Sequence, residues 1–225
     1  DSARLLGNGT NLGNTMEAYG HKSYSADTDP ESFETLWGQP VTTEEMIKGM
    51  KASGFDSLRV PVAWTNAMEY EKGDYTINEA YLDRVEEIIN YALDNDMYVI
   101  INDHWDGSWW GMFGSSEQSD VDKAFEMYKS MWTQIANRYK KYSDRLIFEG
   151  ANEELGDRLN DTDVCKNSGS LSKAECYEMA NKINQTFVDT VRATGGNNEQ
   201  RFLLIAGYNT CLLYTSPSPR DSTSS

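Results

Sequence analysis

A parallel α/β fold is what this sequence predicts, on two observations. Short apolar runs of strand length alternate with amphipathic stretches of helical period, and most runs are continuously apolar, as strands buried on both faces are. Polar residues able to do chemistry collect just past the C-terminal ends of these runs, where a (β/α)8 barrel gathers its catalytic groups. The expected strands are 10–13, 57–62, 97–103, 146–152 and 201–207. Thr42-x-x-Glu45 has the form of a capping box that opens a helix through Met46 and Met50, with Gly54 just past its end. Thr76-x-x-Glu79 is expected to open the next, where Leu82, Val85, Ile89 and Ala92 recur at helical spacing. A third helix over 121–142 carries Phe125, Tyr128, Trp132, Ile135 and Tyr139 on one stripe. Ser172-x-x-Glu175 begins a fourth through Ala180, Ile183, Phe187 and Val191, closed by Gly195-Gly196. Gly7-Asn8-Gly9 precedes the first strand instead of joining it to a helix, so the chain has no nucleotide-binding glycine loop.

Composition narrows the function. With 225 residues and 39% hydrophobic content the chain can bury a sizeable core. A net charge of −16 argues against nucleic acid or an anionic membrane surface as partner and favours a neutral or cationic substrate. No apolar run approaches the ~18 residues of a membrane span. The chain opens at Asp1 with neither an initiator Met nor a signal-peptide pattern, so it is expected to be processed or a fragment. Three cysteines are too few for a disulfide scaffold, and none form a CxxC pair. Cys165 and Cys176 bracket a polar loop and are either a disulfide, in a secreted protein, or two unrelated thiols. With only His21 and His104 present, a histidine-rich metal site is not expected.

The strand ends carry the chemistry. Strand one runs into Asn14-Thr-Met-Glu17; strand two carries Arg59, with Trp64 just beyond. Strand three ends in Asn102-Asp-His-Trp-Asp106, followed by Trp109 and Trp110. Strand four ends in the adjacent pair Asn152-Glu153, then Glu154. An amide beside a carboxyl suits glycoside cleavage, in which the carboxyl protonates the leaving oxygen and the amide holds a sugar hydroxyl. Each residue alone has an ordinary explanation: Arg59 as a charge partner for Glu149, His104 as a hydrogen-bonded loop residue, Trp64 or Trp109 as packing. Four polar strand ends together favour one shared site.

Several motifs, in order from about residue 9 to 209, resemble glycoside hydrolase family 5. They are Asn11-Leu-Gly-Asn-Thr15, Trp37-Gly-x-Pro-x-Thr-Thr43, Gly54-Phe through Arg59-Val-Pro-Val62, Tyr98-Val-Ile-Ile-Asn102 with His104-Trp105, and Phe148-Glu-Gly-Ala-Asn-Glu153. The nearest likeness is to its secreted bacterial endo-β-1,4-glucanases and xyloglucanases. That resemblance implies a TIM barrel, a retaining double displacement without cofactor, a β-glucan polysaccharide as substrate and an extracellular location. It implies Glu153 as acid/base, Asn152 on the sugar 2-hydroxyl, and Arg59 and His104 shaping the −1 subsite. Asn14 joins them at the strand ends, and Trp64, Trp109 and Trp110 offer faces for pyranose rings, at least one of the three being core. Glu154 and Leu155 stand where many members carry Pro and Arg, a departure in the loop after the acid/base.

In this family the nucleophile ends strand seven, and no candidate stands across the substrate from Glu153 here; Asp103 and Asp106 both sit beside His104. The expectation is a (β/α)8 barrel truncated after about strand five, with residues 1–210 as the N-terminal part of the catalytic domain. Five strands in an open arc leave two sheet edges bare, an aggregation liability. The run from Cys211 to Ser225 is unlike what precedes it and is expected to be a non-native tail; a Ser/Pro-rich linker is the competing reading. Two other functions fit the same motifs: a β-mannanase of the same clan, and a non-catalytic glycan-binding remnant.

Overall fold

The computed structural model describes residues 6–152 and 155–207, and the backbone of 210–214. Glu153, Glu154 and 215–225 lie outside the described residues. One sheet runs through the molecule with its strands in sequence order: β1 Gly9–Asn11, β2 Ser57–Val60, β3 Tyr98–Asn102, β4 Leu146–Glu149, β5 Leu203–Gly207 and β6 Thr210–Tyr214. The first five are parallel, and each falls within or one residue from its expected run. The helices are α1 Pro30–Glu34, α2 Glu44–Ala52, α3 Glu79–Leu93, α4 Gln118–Arg138, α5 Leu155–Arg158 and α6 Lys173–Ala193.

The sixth strand was not expected. It pairs antiparallel with β5, Leu204 opposite Leu213, along the edge that an open five-strand arc leaves bare. Positions 208 and 209 are all that separate the two strands. A parallel partner needs a crossover of a dozen or more residues, so a connection this short permits only a hairpin return. The sheet thus extends into residues read above as a separate tail.

Continuous burial of β4, all four residues, follows from helices on one face and neighbouring strand-end side chains on the other. The helix layer is aromatic where it meets this strand. Trp132 of α4 lies 5.6 Å from Phe148 and 4.6 Å from Phe187 of α6, centroid to centroid. Leu204 and Ile205 of β5 are only partly covered.

The caps show where local pattern yields to tertiary contact. The capping box at Ser172 forms in full: its hydroxyl accepts from the Glu175 N–H and the Glu175 carboxylate accepts from the Ser172 N–H. Thr42 does not cap α2; Thr43 does, accepting from the Met46 N–H at 3.3 Å. Thr42 is held elsewhere, its N–H on Glu34 and its carbonyl on Arg84. Arg84 and the fully buried Glu34 form a two-point ion pair at 2.7 and 2.8 Å. Likewise Asn78, not Thr76, caps α3, because the Ile77 N–H is taken by Gln134 of α4. Cys165 and Cys176 are separate buried thiols.

Candidate functional site

The β1, β2 and β4 ends meet through one guanidinium. Arg59 pairs in register with Ile100 and, through it, with Ile147. Glu149 lies two residues further along β4, on the same face of the pleat. Arg59 Nε donates to Glu149 Oε1 at 2.8 Å, Nη2 to Asn152 Oδ1 at 3.0 Å and Nη1 to Asn11 Oδ1 at 3.2 Å. One side chain therefore ties β1, β2 and β4, and it fixes Asn152 by its oxygen. The amide nitrogen of Asn152 keeps two N–H donors.

Asn102 does for β3 what Arg59 does for β4. Its Oδ1 accepts from the Val62 N–H at 3.0 Å, so the Nδ2 side can only donate, and it lies 3.0 Å from His104 Nδ1. His104 Nδ1 is then the acceptor, and the neutral ring carries its proton on Nε2. The His104 N–H donates to the Val62 carbonyl, which anchors the residue's backbone as well.

His104 and Asn152 line a narrow cavity with Trp105, Trp110, Ala151, Leu155 and Arg158. The Arg158 guanidinium lies over the Trp105 ring, 3.9 Å from its centroid. The cavity is thus bounded by β3 and β4 ends, with two tryptophan rings in its wall. Trp105 was noted from the sequence only as the neighbour of His104 and given no role, and Arg158 was not singled out at all. Trp105 is adjacent to His104, so its place at the strand end was available; Arg158 reaches the site from α5 and left no local signal.

Three expected residues, Trp64, Trp109 and Asn14, leave the site. Trp64 and Trp109 are completely buried and present no face to a ligand. Trp64 Nε1 donates to the Asn102 carbonyl at 2.8 Å, which makes it the back support of that amide. Trp109 stacks behind Trp110, centroids 4.4 Å apart at 28°. Trp110 alone of the three reaches the cavity. Asn14 is exposed with a positive φ of 58°, in the turn after β1, and is not part of the cavity wall. The group that approaches Arg59 from this turn is Glu17, which is nearly buried and whose carboxylate accepts from the Thr15 N–H. Burial raises its pKa against the lowering influence of that N–H and of Arg59.

The chain is similar to known proteins over most of its length. The family model described as cellulase (glycosyl hydrolase family 5) matches residues 19–223. A xyloglucan-specific endo-β-1,4-glucanase of Bacteroides ovatus is 40% identical over 206 residues, which cover 92% of this chain and 38% of the relative. Endoglucanase A of Paenibacillus barcinonensis is 38% identical over 216 residues, 93% of this chain and 48% of the relative. Among solved structures, a broad-specificity endoglucanase from Ruminococcus champanellensis with bound cellotriose superposes with a TM-score of 0.75 at 38% identity, over 90% of this chain and 55% of that one. The chain spans about half the length of these relatives or less, and within that span its five parallel strands keep the order of a (β/α)8 barrel. A family match over most of its length and 40% identity to an endoglucanase across nearly all of it show that this chain belongs to glycoside hydrolase family 5.

Proposed function

We propose that the chain is the N-terminal share of a secreted retaining endo-β-1,4-glucanase, acting on cellulose, xyloglucan or mixed-linkage glucan. Glu153 is the general acid/base. The nucleophilic carboxylate comes from a later strand of the barrel, outside residues 1–210. The observation that carries this reading is the hold of Arg59 on Asn152. With Oδ1 taken by Nη2, Asn152 offers N–H to a hydroxyl oxygen, the contact needed on the 2-hydroxyl of a sugar bound beside Glu153. His104 and the rings of Trp105 and Trp110 line the same cavity. The relatives named above, a xyloglucanase and a cellotriose-bound endoglucanase, support a β-1,4-glucan as the substrate class. A neutral glucan also meets no repulsion from an acidic protein.

In the reaction, Glu153 protonates the glycosidic oxygen as the nucleophile forms a glycosyl-enzyme, and then takes a proton from the water that releases it. The two carboxyls are expected roughly 5–5.5 Å apart, and NMR early in the reaction is expected to show retained anomeric configuration. Inverted product would overturn the mechanism. Glu153→Gln in the complete enzyme is expected to lower kcat/KM on a glucan by about 10²–10⁴-fold. The loss is expected to be much smaller on an activated aryl cellobioside, whose leaving group departs unprotonated. Glu154→Gln is expected to cost little on either substrate, and His104→Ala to hurt both alike. Equal losses for Glu153→Gln on both substrates, or a larger loss at Glu154, would move the acid/base elsewhere.

A further inference from the structure

Behind the cavity lie two carboxyls that the reaction does not use. Asp103, directly after β3, has no exposed surface, and neither of its oxygens receives a hydrogen bond. Asp106, three residues on, is also buried but well supplied. Its Oδ1 accepts from Trp109 Nε1 at 2.6 Å and Trp110 Nε1 at 3.1 Å, and its Oδ2 from the Thr65 N–H at 3.4 Å. Its carbonyl accepts from the Thr65 hydroxyl at 2.8 Å. The two carboxyls are within hydrogen-bonding reach of one another. As two carboxylates they would present acceptors only, with no donor between them.

The neighbours provide no counter-charge. Tyr128 of α4 faces the pair but gives its hydroxyl to the Gly150 carbonyl at 2.7 Å. Tyr81 of α3 gives its own to the carbonyls of Met16 and Ala63. Tyr70 approaches Asp106 as a further phenol. On the pair's own side, His104 bonds to Asn102, and Glu149 accepts the Asp103 N–H through its backbone carbonyl. Among the described residues neither aspartate makes an ion pair. A buried carboxylate without donor or cation is costly, and the usual escape is to take up a proton.

We propose that Asp103 is held as the neutral acid, its O–H donated to the Asp106 carboxylate, and that this one proton fixes the Trp109–Trp110 stack behind the cavity. The division of roles follows from the donors. Asp106 has three N–H groups to stabilise its charge; Asp103 has none and must carry the hydrogen. Desolvation by burial pushes both carboxyls up, Asp103 well above its ordinary value and Asp106 to about 6. The pair is a positioning element: it touches no substrate, but the indole it holds, Trp110, forms part of the cavity wall. That this wall receives a glucan rests on the function proposed above; the place of the proton does not.

The test uses the complete enzyme and the variant Asp103→Asn, which replaces the O–H donor by an N–H of similar size. Infrared difference spectra in D2O at neutral pH, wild type minus variant, are expected to contain the carbonyl band of a protonated carboxylic acid. On raising the pH, the wild type is expected to lose that band and the near-ultraviolet circular dichroism of its stacked indoles together. In Asp103→Asn the indole signal is expected to persist over the same range; tyrosine ionisation is common to both proteins and cancels. A missing acid band at neutral pH, or a band lost without change in the indole signal, overturns the proposal. Should the variant fail to fold, infrared spectra of the wild type at two pH values give the acid band by difference, and that band and the indole signal must be lost with one midpoint, separate from that of the tyrosinate absorbance. These readouts need no substrate, so they succeed or fail independently of the assigned reaction.

Discussion

Glu149 and Asp103 end adjacent strands, are buried to nearly the same degree and are joined by a backbone hydrogen bond, yet they neutralise their charge by opposite means. Glu149 has a guanidinium at 2.8 Å and is held in an ion pair. Asp103 has no cation and keeps a proton. The difference traces to neighbouring residues. Arg59 on β2 reaches across β3 to the β4 end, where it also holds Asn152. The β3 end is instead closed in by Trp64, Trp109 and Trp110, whose indoles give Asp106 and the Asn102 carbonyl their hydrogen bonds. The polar amide held by the cation lines the cavity; the proton and the aromatic rings stiffen the wall behind it. A polar strand end therefore does not by itself mark a residue that meets substrate. What distinguishes the two is whether the charge is compensated from the open side or from within.

The largest expected effect comes from removing the buried acid. Because the folded pKa of Asp103 is raised, the folded protein binds a proton that the unfolded chain releases. The group's contribution to stability is therefore highest near or below its ordinary value of about 3.9 and is lost as pH rises toward the folded value. Asp103→Asn cannot lose a proton, so the variant is expected to gain stability over wild type as pH rises, by at most about 1.4 kcal/mol per pH unit. Thermal unfolding of both proteins from pH 4 upward measures this directly. A gap between them that is independent of pH, or that closes with rising pH, would remove the contrast with Glu149.

Arg59→Ala probes the other member. It leaves Glu149 buried without its cation and releases Asn152, and the expected loss is about 3 kcal/mol in denaturant unfolding, the scale for breaking a buried pair from one side. A loss below about 1 kcal/mol would mean that water takes over the guanidinium's role, as at exposed pairs.

The five parallel strands were legible because a strand buried on both faces must be apolar throughout, and 57–62, 97–103 and 146–152 are interrupted mainly where the site begins. The caps of α2 and α3 were less so. Thr42 and Thr76 satisfy the same local pattern as Ser172, but Glu34 and Arg84 engage Thr42, and Gln134 holds the chain at Ile77. These partners lie far off in sequence. That Arg59, His104 and Asn152 lie together at the strand ends was legible from position, since a polar residue at a strand end has few other places to go. The tryptophans were not. Trp64, Trp109 and Trp110 look alike in sequence, and only the packing of the short 3-10 turns after β2 and β3 decides that two are enclosed while one reaches the cavity. Arg158 and β6 depend on contacts that no local periodicity encodes.

The smallest effect is also the most discriminating. If Arg59 exists at this position chiefly to neutralise Glu149, then once Glu149 has lost its charge the arginine should matter less. Glu149→Gln leaves an amide that can still accept from Arg59 Nε, while Arg59 keeps its bonds to Asn152 and Asn11. The double variant Arg59→Ala with Glu149→Gln has no buried charge left to strand. It is expected to be more stable than the sum of the single losses implies, by a coupling of about 1–2 kcal/mol, within the range for residues in direct contact. The same cycle between Arg59 and Asp103 is expected to be additive within about 0.5 kcal/mol, because Asp103 as a neutral acid offers the guanidinium no charge to compensate. Denaturant unfolding of the four variants in each cycle provides the numbers. Strong coupling between Arg59 and Asp103 would mean that Asp103 is ionised and that the two strand ends share one electrostatic network after all.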